Sequence, residues 1–531
     1  MANSKYKYVK EEFEKEIEDV NGRLIPCTWI IVRIDGHDFR RFSQVHEFMK
    51  PNDEQALNLM NSCAMALLEE YPDIVYAYGF SDEYSFILKK TSNFYQRRAS
   101  KIVSITVSFF SSLYVMKWKE FFPQKEMRFL PSFHGQIFLC PEAKVLKDYL
   151  VWRRDECHVN NQYDTCYWML VKSGRTEEEA QNILKGSQKQ DRNELLFQQF
   201  GVNYEKLPIM FRRGSCILKE KVEEIVKYDQ AGDPVRRVRE KLIVDHFDPD
   251  WLSFWAKHPC LIDALLIPKE NFWKIWSTKC DSVKSFEFED KLIPSTWIVV
   301  RIDGCRFHRF SEIHEFEKPN DEQALNLMNS CAVAMLEEFQ DLVFSYGVSD
   351  EYSFVLKEGS QFCQRRARKI ISRTVSLFSS LYVMKWKVFF PREELKYPPS
   401  FDGRAVCYPL VPILRHYLSW RQIDCHINNQ YNTCFWMLVK SGKTEREAHD
   451  LLKGTQTQEK NKLLLQQFGI NYERLPVMFR KGSCVYRDKV GESIQDTKGG
   501  DPVKKSLKVI VDHCDIIGPS FWTAHPSILE G

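Results

Sequence analysis

Apolar and β-branched residues fill nearly every position of "TWIIVRI" (28–34), a pattern that predicts a buried strand, and the run stops at Asp35-Gly36. After Asp53, "EQALNLMNSCAMALLEE" carries apolar residues at helical spacing, with Asp53 as its predicted N-cap. "IVYAYG" and "EYSFIL" read as two strands of a hairpin around the turn "FSD". "NFYQRRASKIVSITVSFFSSLYV" predicts a long helix, and "GQIFLC" a further strand. The order β-α-β-β-α-β is that of a ferredoxin-like α+β domain with additional helices. In that topology the third strand runs antiparallel beside the first. Asp35 and Asp82 would then meet at one end of the sheet.

The pattern is written twice. "KPNDEQALNLMNSCA" stands at 50–64 and again at 318–332, and a constant offset links Asp35 to Asp303, His158 to His426 and Gly214 to Gly482. We expect two tandem copies, 1–265 and 266–531, far too long to be solenoid repeats. The junction "CLIDALLIPKENFWKIWSTKC" (260–280) is apolar and aromatic, unlike a flexible tether, so the copies are expected to pack together.

Composition narrows the class. Lys and Arg number 75 and Asp and Glu 72, so any affinity for nucleic acid must come from local patches. The sixteen cysteines form no C-x-x-C pair, and several sit in apolar helical text, which fits buried thiols in a reducing compartment. "MANSKYKYVKEEFEKE" lacks the apolar core of a secretory signal, and no stretch was expected to reach membrane-spanning length. An intracellular protein of the nucleus (nucleoplasm) or cytosol, with no membrane partner, is the expectation.

Two carboxylates held together repel unless a cation or proton lies between them. A hard divalent ion suits such a pair, since Mg²⁺ typically takes one or two carboxylates plus substrate phosphates. Asp35 with Asp82, and Asp303 with Asp350, are the candidate catalytic and metal-binding pairs. Gly36 and Gly304 allow a backbone carbonyl to approach. Glu83 and Glu351 adjoin the pairs as ligands, supporting groups or surface acids. Phosphate contacts are expected from Lys50, Arg97, Arg98 and Lys101, and from Lys318, Arg365, Arg366 and Lys369, the arginines and final lysine of each set lying in "QRRASK" or "QRRARK". "CHVNNQYD" (157–164) and "CHINNQYN" (425–432) hold residue types that stack on and bond to bases, although a capped helix start with a satisfied histidine would look the same. "LKGSQKQDRNELL" and "LKGTQTQEKNKLL" read as a loop entering a helix, suited to backbone phosphate contact.

Taken together, "VRIDGCRFHRFSEIHEFEKPND", "YGVSDEYSF", "RRARK", "PPSFDGR", "SWRQIDCHINN", "LKGT" and "LPVMFRKG" resemble the tRNA-His guanylyltransferase family over nearly all of each repeat. The resemblance implies a palm enzyme that adds a guanosine to the 5′ end of tRNA-His, growing the strand from 3′ to 5′. ATP would adenylylate the tRNA 5′-phosphate, the GTP 3′-hydroxyl would displace AMP, and pyrophosphate would then be removed. It implies two Mg²⁺ per active site, with ligands at Asp35, the Gly36 carbonyl and Asp82, and at Asp303, Gly304 and Asp350. Nucleotide contacts fall on Asp35, Gly36, His37, Asp38, Phe39, Arg40, Ser81 and Asp82. In the second copy they fall on Asp303, Gly304, Cys305, Arg306, Phe307, His308, Ser349 and Asp350. The family's tRNA-engaging motif falls on His158, Asn160 and Asn161, and on His426, Asn428 and Asn429. Family enzymes assemble as tetramers of single-domain chains, so a tandem chain is expected to form a homodimer. The copies differ: the second keeps Phe307-His308, Asp402 and Asn432, where the first has Arg40, His134 and Asp164 at the last three positions. The second is therefore expected to be the main catalytic copy. An RNA-binding scaffold with inactive palms and a nucleotidyl cyclase-like palm enzyme stay open as other readings.

Overall fold

A computed structural model describes residues 23–24, 26–228, 234–246, 257–265, 290–490 and 506–529. The first copy runs β1 (Trp29–Gly36), α1 (Glu54–Glu70), β2 (Ile74–Phe80), β3 (Glu83–Leu88), α2 (Ala99–Phe121) and β4 (Phe133–Cys140). It continues with α3 (Ala143–Lys172), α4 (Glu177–Leu184), α5 (Lys189–Phe200), β5 (Ser215–Tyr228) and β6 (Pro234–Asp245). The second copy repeats this as β7 (Trp297–Gly304), α6 (Glu322–Glu338), β8 (Leu342–Val348), β9 (Glu351–Leu356), α7 (Ala367–Phe389) and β10 (Phe401–Tyr408). Then follow α8 (Val411–Lys440), α9 (Glu445–Leu452), α10 (Thr457–Phe468), β11 (Ser483–Val490) and β12 (Ser506–Asp512).

Each copy is built on its own antiparallel sheet, in the order β4-β1-β3-β2-β5-β6 and β10-β7-β9-β8-β11-β12. The first four strands of each are the expected ferredoxin-like set. The hairpin β5–β6, with its counterpart β11–β12, extends the sheet beyond them. β1 reads as a continuous apolar run because both of its faces are covered. Trp29 and Ile31 pack with Tyr149 and Leu150 of α3, while the alternate residues Ile30, Val32 and Ile34 are equally buried. Asp53 caps α1 as expected, its carboxylate accepting the Ala56 N–H at 3.1 Å and the Met49 N–H at 2.9 Å.

Three local readings are corrected. The helix expected from residue 93 begins only at Ala99. Before it lies a tight turn in which Tyr95, Gln96 and Arg97 all have positive φ, at 46°, 55° and 57°. "CHVNNQYD" and "CHINNQYN" open no helix. Both lie in the middle of 30-residue helices, α3 and α8. And α2 is long and apolar enough, by length and composition, to cross a membrane, with 78% of its apolar window buried inside the fold. Its buried serines are satisfied within the helix: the Ser111 hydroxyl donates back to the Val107 carbonyl at 2.7 Å. The boundary expected at 265/266 and most of the 260–280 junction lie outside the described residues.

Candidate active sites at the sheet ends

β1 delivers Asp35 and Gly36 to the rim of the sheet, and the β2–β3 turn delivers Ser81 and Asp82 beside them. Register sets this meeting, because Asp35 pairs with Glu83 across β1 and β3. The Gly36 N–H donates to the Asp82 carbonyl at 3.1 Å, as the Gly304 N–H does to Asp350. Glycine is required there by contact. A Cβ on Gly36 would stand 2.4 Å from the Phe39 ring and 2.6 Å from Asp82 Oδ2, and Gly304 is equally confined by Phe307 and Asp350. Ser81 and Ser349 sit in the left-handed region, with φ of 53° and 54°, so the turn stores local strain at this point. The Ser81 hydroxyl donates to Asp82 Oδ1 at 3.1 Å.

Burial and the neighbouring Asp35 push the Asp82 carboxyl up to about 6. Asp303 and Asp350 are both raised as well, by burial first. Asp303 then feels Asp350 and Asp402, and Asp350 feels Glu351 and Asp402. Carboxylates that resist ionisation in this way are short of positive charge. With the open backbone cradle at Gly36 and Gly304, the donor set fits a divalent ion whose remaining positions are filled by water and phosphate. Among the described residues no cluster of three or more His, Cys, Asp or Glu side chains with metal-binding geometry occurs, so an all-protein cage is not the arrangement.

Opposite Asp303 across the sheet is Asp402, whereas Asp35 faces His134. His134 Nε2 lies 3.0 Å from His37 Nδ1, a pair with no equivalent at Cys305 and Asp402. Glu83 is held by two arginines. Arg153 grips it with two bonds, Nε to Oε1 at 2.8 Å and Nη2 to Oε2 at 2.6 Å, and Arg33 approaches to 3.9 Å. Arg421 holds Glu351 with one bond, Nη2 to Oε2 at 2.8 Å, and an ion-pair approach of Nε to Oε1 at 2.7 Å. Neither arginine was picked out from the sequence, although "WRRDECH" and "WRQIDCH" repeat the position.

A cavity of about 410 Å³ opens beside Asp82, between the Phe39–Lys50 segment and α3. In the second copy the space beside Asp350 is about 210 Å³. Ser81, Phe39 and Arg40 line the first, and Ser349, Phe307 and His308 the second. Lys50 and Lys318 are the lysines on these walls, donating to Ser43 and Ser311 at 2.6 and 2.7 Å. Burial lowers both ammonium groups. Arg40 is already paired with Glu177 at 2.8 Å.

The expected arginine cluster separates. Arg97 is buried and donates to the carbonyls of Ser92 and Thr28 and to the Thr28 hydroxyl, and Arg365 does the same with Ser360 and Thr296. These two guanidiniums hold the chain together, which removes them as phosphate contacts. Arg98, Lys101, Arg366 and Lys369 line neither cavity.

The Asn pairs divide too. Asn160 and Asn428 are exposed on their helices. Asn161 donates to Asn52 at 2.7 Å and accepts from the Tyr204 hydroxyl at 3.1 Å, and Asn429 bonds Asn320 and Tyr472, so both brace the loop carrying the lysine. His158 is buried with both ring nitrogens lacking a partner among the described residues, and burial pulls it down to about 4. His426 is less buried, with Nδ1 3.5 Å from the Tyr472 hydroxyl.

The family model for tRNAHis guanylyltransferase matches residues 6–141 and 280–409, and that for the Thg1 C terminal domain matches 144–248 and 412–518. The chain belongs to the tRNAHis guanylyltransferase family. Two Arabidopsis thaliana relatives, tRNA(His) guanylyltransferase 1 and 2, are 60% and 59% identical over all of this chain, covering 91% and 100% of their own lengths. The crystal structure of the Saccharomyces cerevisiae enzyme is 46% identical, covering 39% of this chain and 93% of that one, with a TM-score of 0.38. In guanylyltransferase terms, each copy of this chain holds both matched regions, and the second region opens with α3 or α8. The carboxylate pair and the paired asparagines thus come from different matched regions.

Proposed function

We propose that the chain is a tRNA-His guanylyltransferase that adds a guanosine to the 5′ end of tRNA-His, after ATP has activated the 5′-phosphate. The observation that carries this is the repeated pair of carboxylates at the sheet end, in which Asp82, Asp303 and Asp350 are all raised, beside a cavity with a lysine on its wall. Asp35, the Gly36 carbonyl and Asp82, with Asp303, the Gly304 carbonyl and Asp350, would hold Mg²⁺. Bound there, the ion would supply charge for the attacking and leaving oxygens of a displacement. The chain's own part is positioning. Gly36 and Gly304 let a triphosphate approach the backbone, Ser81 and Ser349 orient the carboxylates, and Lys50 and Lys318 offer point charges to phosphate. Asn160 and Asn428, exposed beside Val159 and Ile427, are placed to meet RNA, with His158 and His426 beneath them. We assign the protein to the nucleus or cytosol, as a homodimer that reproduces a four-domain assembly. The free thiols, Cys63 and Cys331 among them, support a reducing compartment.

The test is transfer of labelled GTP to 5′-monophosphorylated tRNA-His, with ATP and Mg²⁺ present. Product extended by one guanosine supports the reading. Nucleotide binding without transfer would favour a scaffold, and a cyclic product from GTP alone a cyclase.

A further inference from the structure

Two thiols of the second copy stand close together. Cys484 lies in β11 and is buried, and Cys514, half-exposed, stands two residues beyond the end of β12. Their sulfurs are 4.0 Å apart. Other thiols meet oxygen instead. Cys157 and Cys425 lie 3.9 and 3.8 Å from the carbonyls of Phe211 and Phe479, and Cys216 lies 3.2 Å from that of Asp245. Cys216 is the counterpart of Cys484, but the sequence of the first copy has Phe247 where the second has Cys514. The pair is peculiar to the second repeat.

The two cysteines are held differently. Cys484 is fixed from both sides by the sheet, pairing with Tyr346 of β8 and Asp512 of β12. Cys514 lies past the ladder, and its carbonyl accepts from Gln422 Nε2 at 2.9 Å. The same side chain donates to the Lys481 carbonyl at 3.0 Å and accepts the Ile516 N–H at 2.8 Å. Gln422 directly follows Arg421, which holds Glu351 beside Asp350. A disulfide needs its sulfurs about 2.0 Å apart. Side-chain rotation supplies part of that approach, and the rest falls on residues 514–516, the segment that Gln422 grips. In the first copy Arg154 stands at the Gln422 position and pairs with its neighbour Asp155 at 2.9 Å.

We propose that Cys484 and Cys514 are a redox modification site, closed to a disulfide by a peroxide and reopened by a dithiol, and that closing it slows transfer by the second copy. The last clause rests on the proposed function, and the bond itself does not. Peroxide meets Cys514 first, since that thiol is the accessible one. Having given its proton to water, the Cys514 sulfur attacks one peroxide oxygen. The O–O bond breaks, hydroxide leaves and is protonated to water, and a sulfenic acid stays on Cys514. Burial first, then Cys514 and Asp512 beside it, push the Cys484 thiol up, so it arrives still protonated. Its sulfur attacks the sulfenic sulfur, the S–O bond breaks, and the departing hydroxide carries off the Cys484 proton as a second water. Two thiols and one hydrogen peroxide become one disulfide and two waters. A bond of this kind suits a reducing compartment, where disulfides are transient and redox-sensing.

The test treats the full chain with a small excess of hydrogen peroxide, alkylates the remaining thiols and maps the digest by mass spectrometry. A peptide joining Cys484 to Cys514, lighter by two hydrogens than the two reduced peptides, is expected, and dithiothreitol should remove it. Transfer of labelled GTP to tRNA-His should fall about fivefold on oxidation and recover with dithiothreitol. Cys514→Ser should keep its rate through both treatments, which sets aside oxidation elsewhere in the chain. Cys514 carried on to sulfinic acid without a link, or joined to another cysteine, would overturn the site. A mapped bond with an unchanged transfer rate, or an equal loss in Cys514→Ser, would overturn the control of transfer. A mapped bond in a chain that transfers no guanosine even before oxidation would sink the proposed function and leave the modification site standing.

Discussion

At the scale of single residues, the site is defined by what it lacks. Asp82 sits where burial and Asp35 raise its carboxyl to about 6, well above the ordinary 3.8. A carboxyl raised on folding binds its proton more tightly in the native state. Its contribution to stability is whole below about pH 4 and is lost as the pH climbs through 6. Metal-free Asp82→Asn should therefore be more stable than the parent at pH 7–8, by about 1–3 kcal/mol, and indistinguishable near pH 4. Calorimetry across that range, with and without Mg²⁺, checks it. Mg²⁺ should raise the parent's transition temperature more than the variant's, whose second site is intact, and a parent indifferent to both pH and Mg²⁺ would remove the cation from the site. Gly36→Ala makes a different point. Its methyl would collide with the Phe39 ring and Asp82 Oδ2, and the ring is packed against Phe42 and Phe133. Nucleotide binding by the first copy should be lost with a stability cost of about 1–3 kcal/mol. Full labelling of that cavity by azido-GTP in Gly36→Ala would show that the carboxylate can swing clear.

At the scale of elements, the strands, the Ser-Asp hairpin turn and their meeting point were legible in the sequence, and the turn at 95–97 was not. An apolar run ending in Asp-Gly, a hairpin ending in Ser-Asp and a duplicate of both suffice to bring Asp35 to Asp82, because antiparallel pairing leaves few registers. Arg97 was illegible for a physical reason. Its helical surroundings suggest an exposed face, but three successive positive-φ residues turn the chain and drive its guanidinium inward. Glu83 likewise reads as a solvated acid until its partner, Arg153, arrives from α3. No local pattern announces a pairing across that separation. The clamp itself is testable. Arg365→Ala strips bonds from the Ser360 and Thr296 carbonyls and leaves buried acceptors unpaired, so the second copy should lose about 2–4 kcal/mol of stability. Arg365→Lys should not recover it, since an ammonium cannot span the same acceptors. Among molecules still folded, the KM for GTP should be unchanged. A tenfold rise in KM at unchanged melting temperature would return Arg365 to the phosphates.

At the scale of the whole molecule, the question is why one chain keeps two sites that are no longer alike. Both retain the carboxylate pair, the cradle glycine, the strained serine and the clamped glutamate. They differ in what surrounds the pair. Asp303 has a further carboxylate, Asp402, across from it, and that acid helps to raise it, whereas Asp35 faces His134, itself engaged with His37. The cavity beside Asp350 is about 210 Å³ and that beside Asp82 about 410 Å³, the latter with Asp164 and Trp168 on its wall. Drift that merely eroded a spare copy would have no reason to spare every residue that holds the pair together. The combination fits a first copy that binds and presents, and a second that transfers. Asp303→Ala with Asp350→Ala should then reduce guanylyl transfer by about a hundredfold or more, and Asp35→Ala with Asp82→Ala by less than about tenfold. Neither pair should unfold the chain, because each removes like charges from a crowded place. Circular dichroism and melting curves confirm that point before rates are compared. Both double variants must be assayed on the same tRNA-His preparation at saturating Mg²⁺, so that a difference reports the site and not the substrate. Equal losses would defeat the division of labour, and the repeats would count as two working enzymes in one chain. A larger loss from the first pair would reverse the roles, placing chemistry beside His134 and presentation beside Asp402.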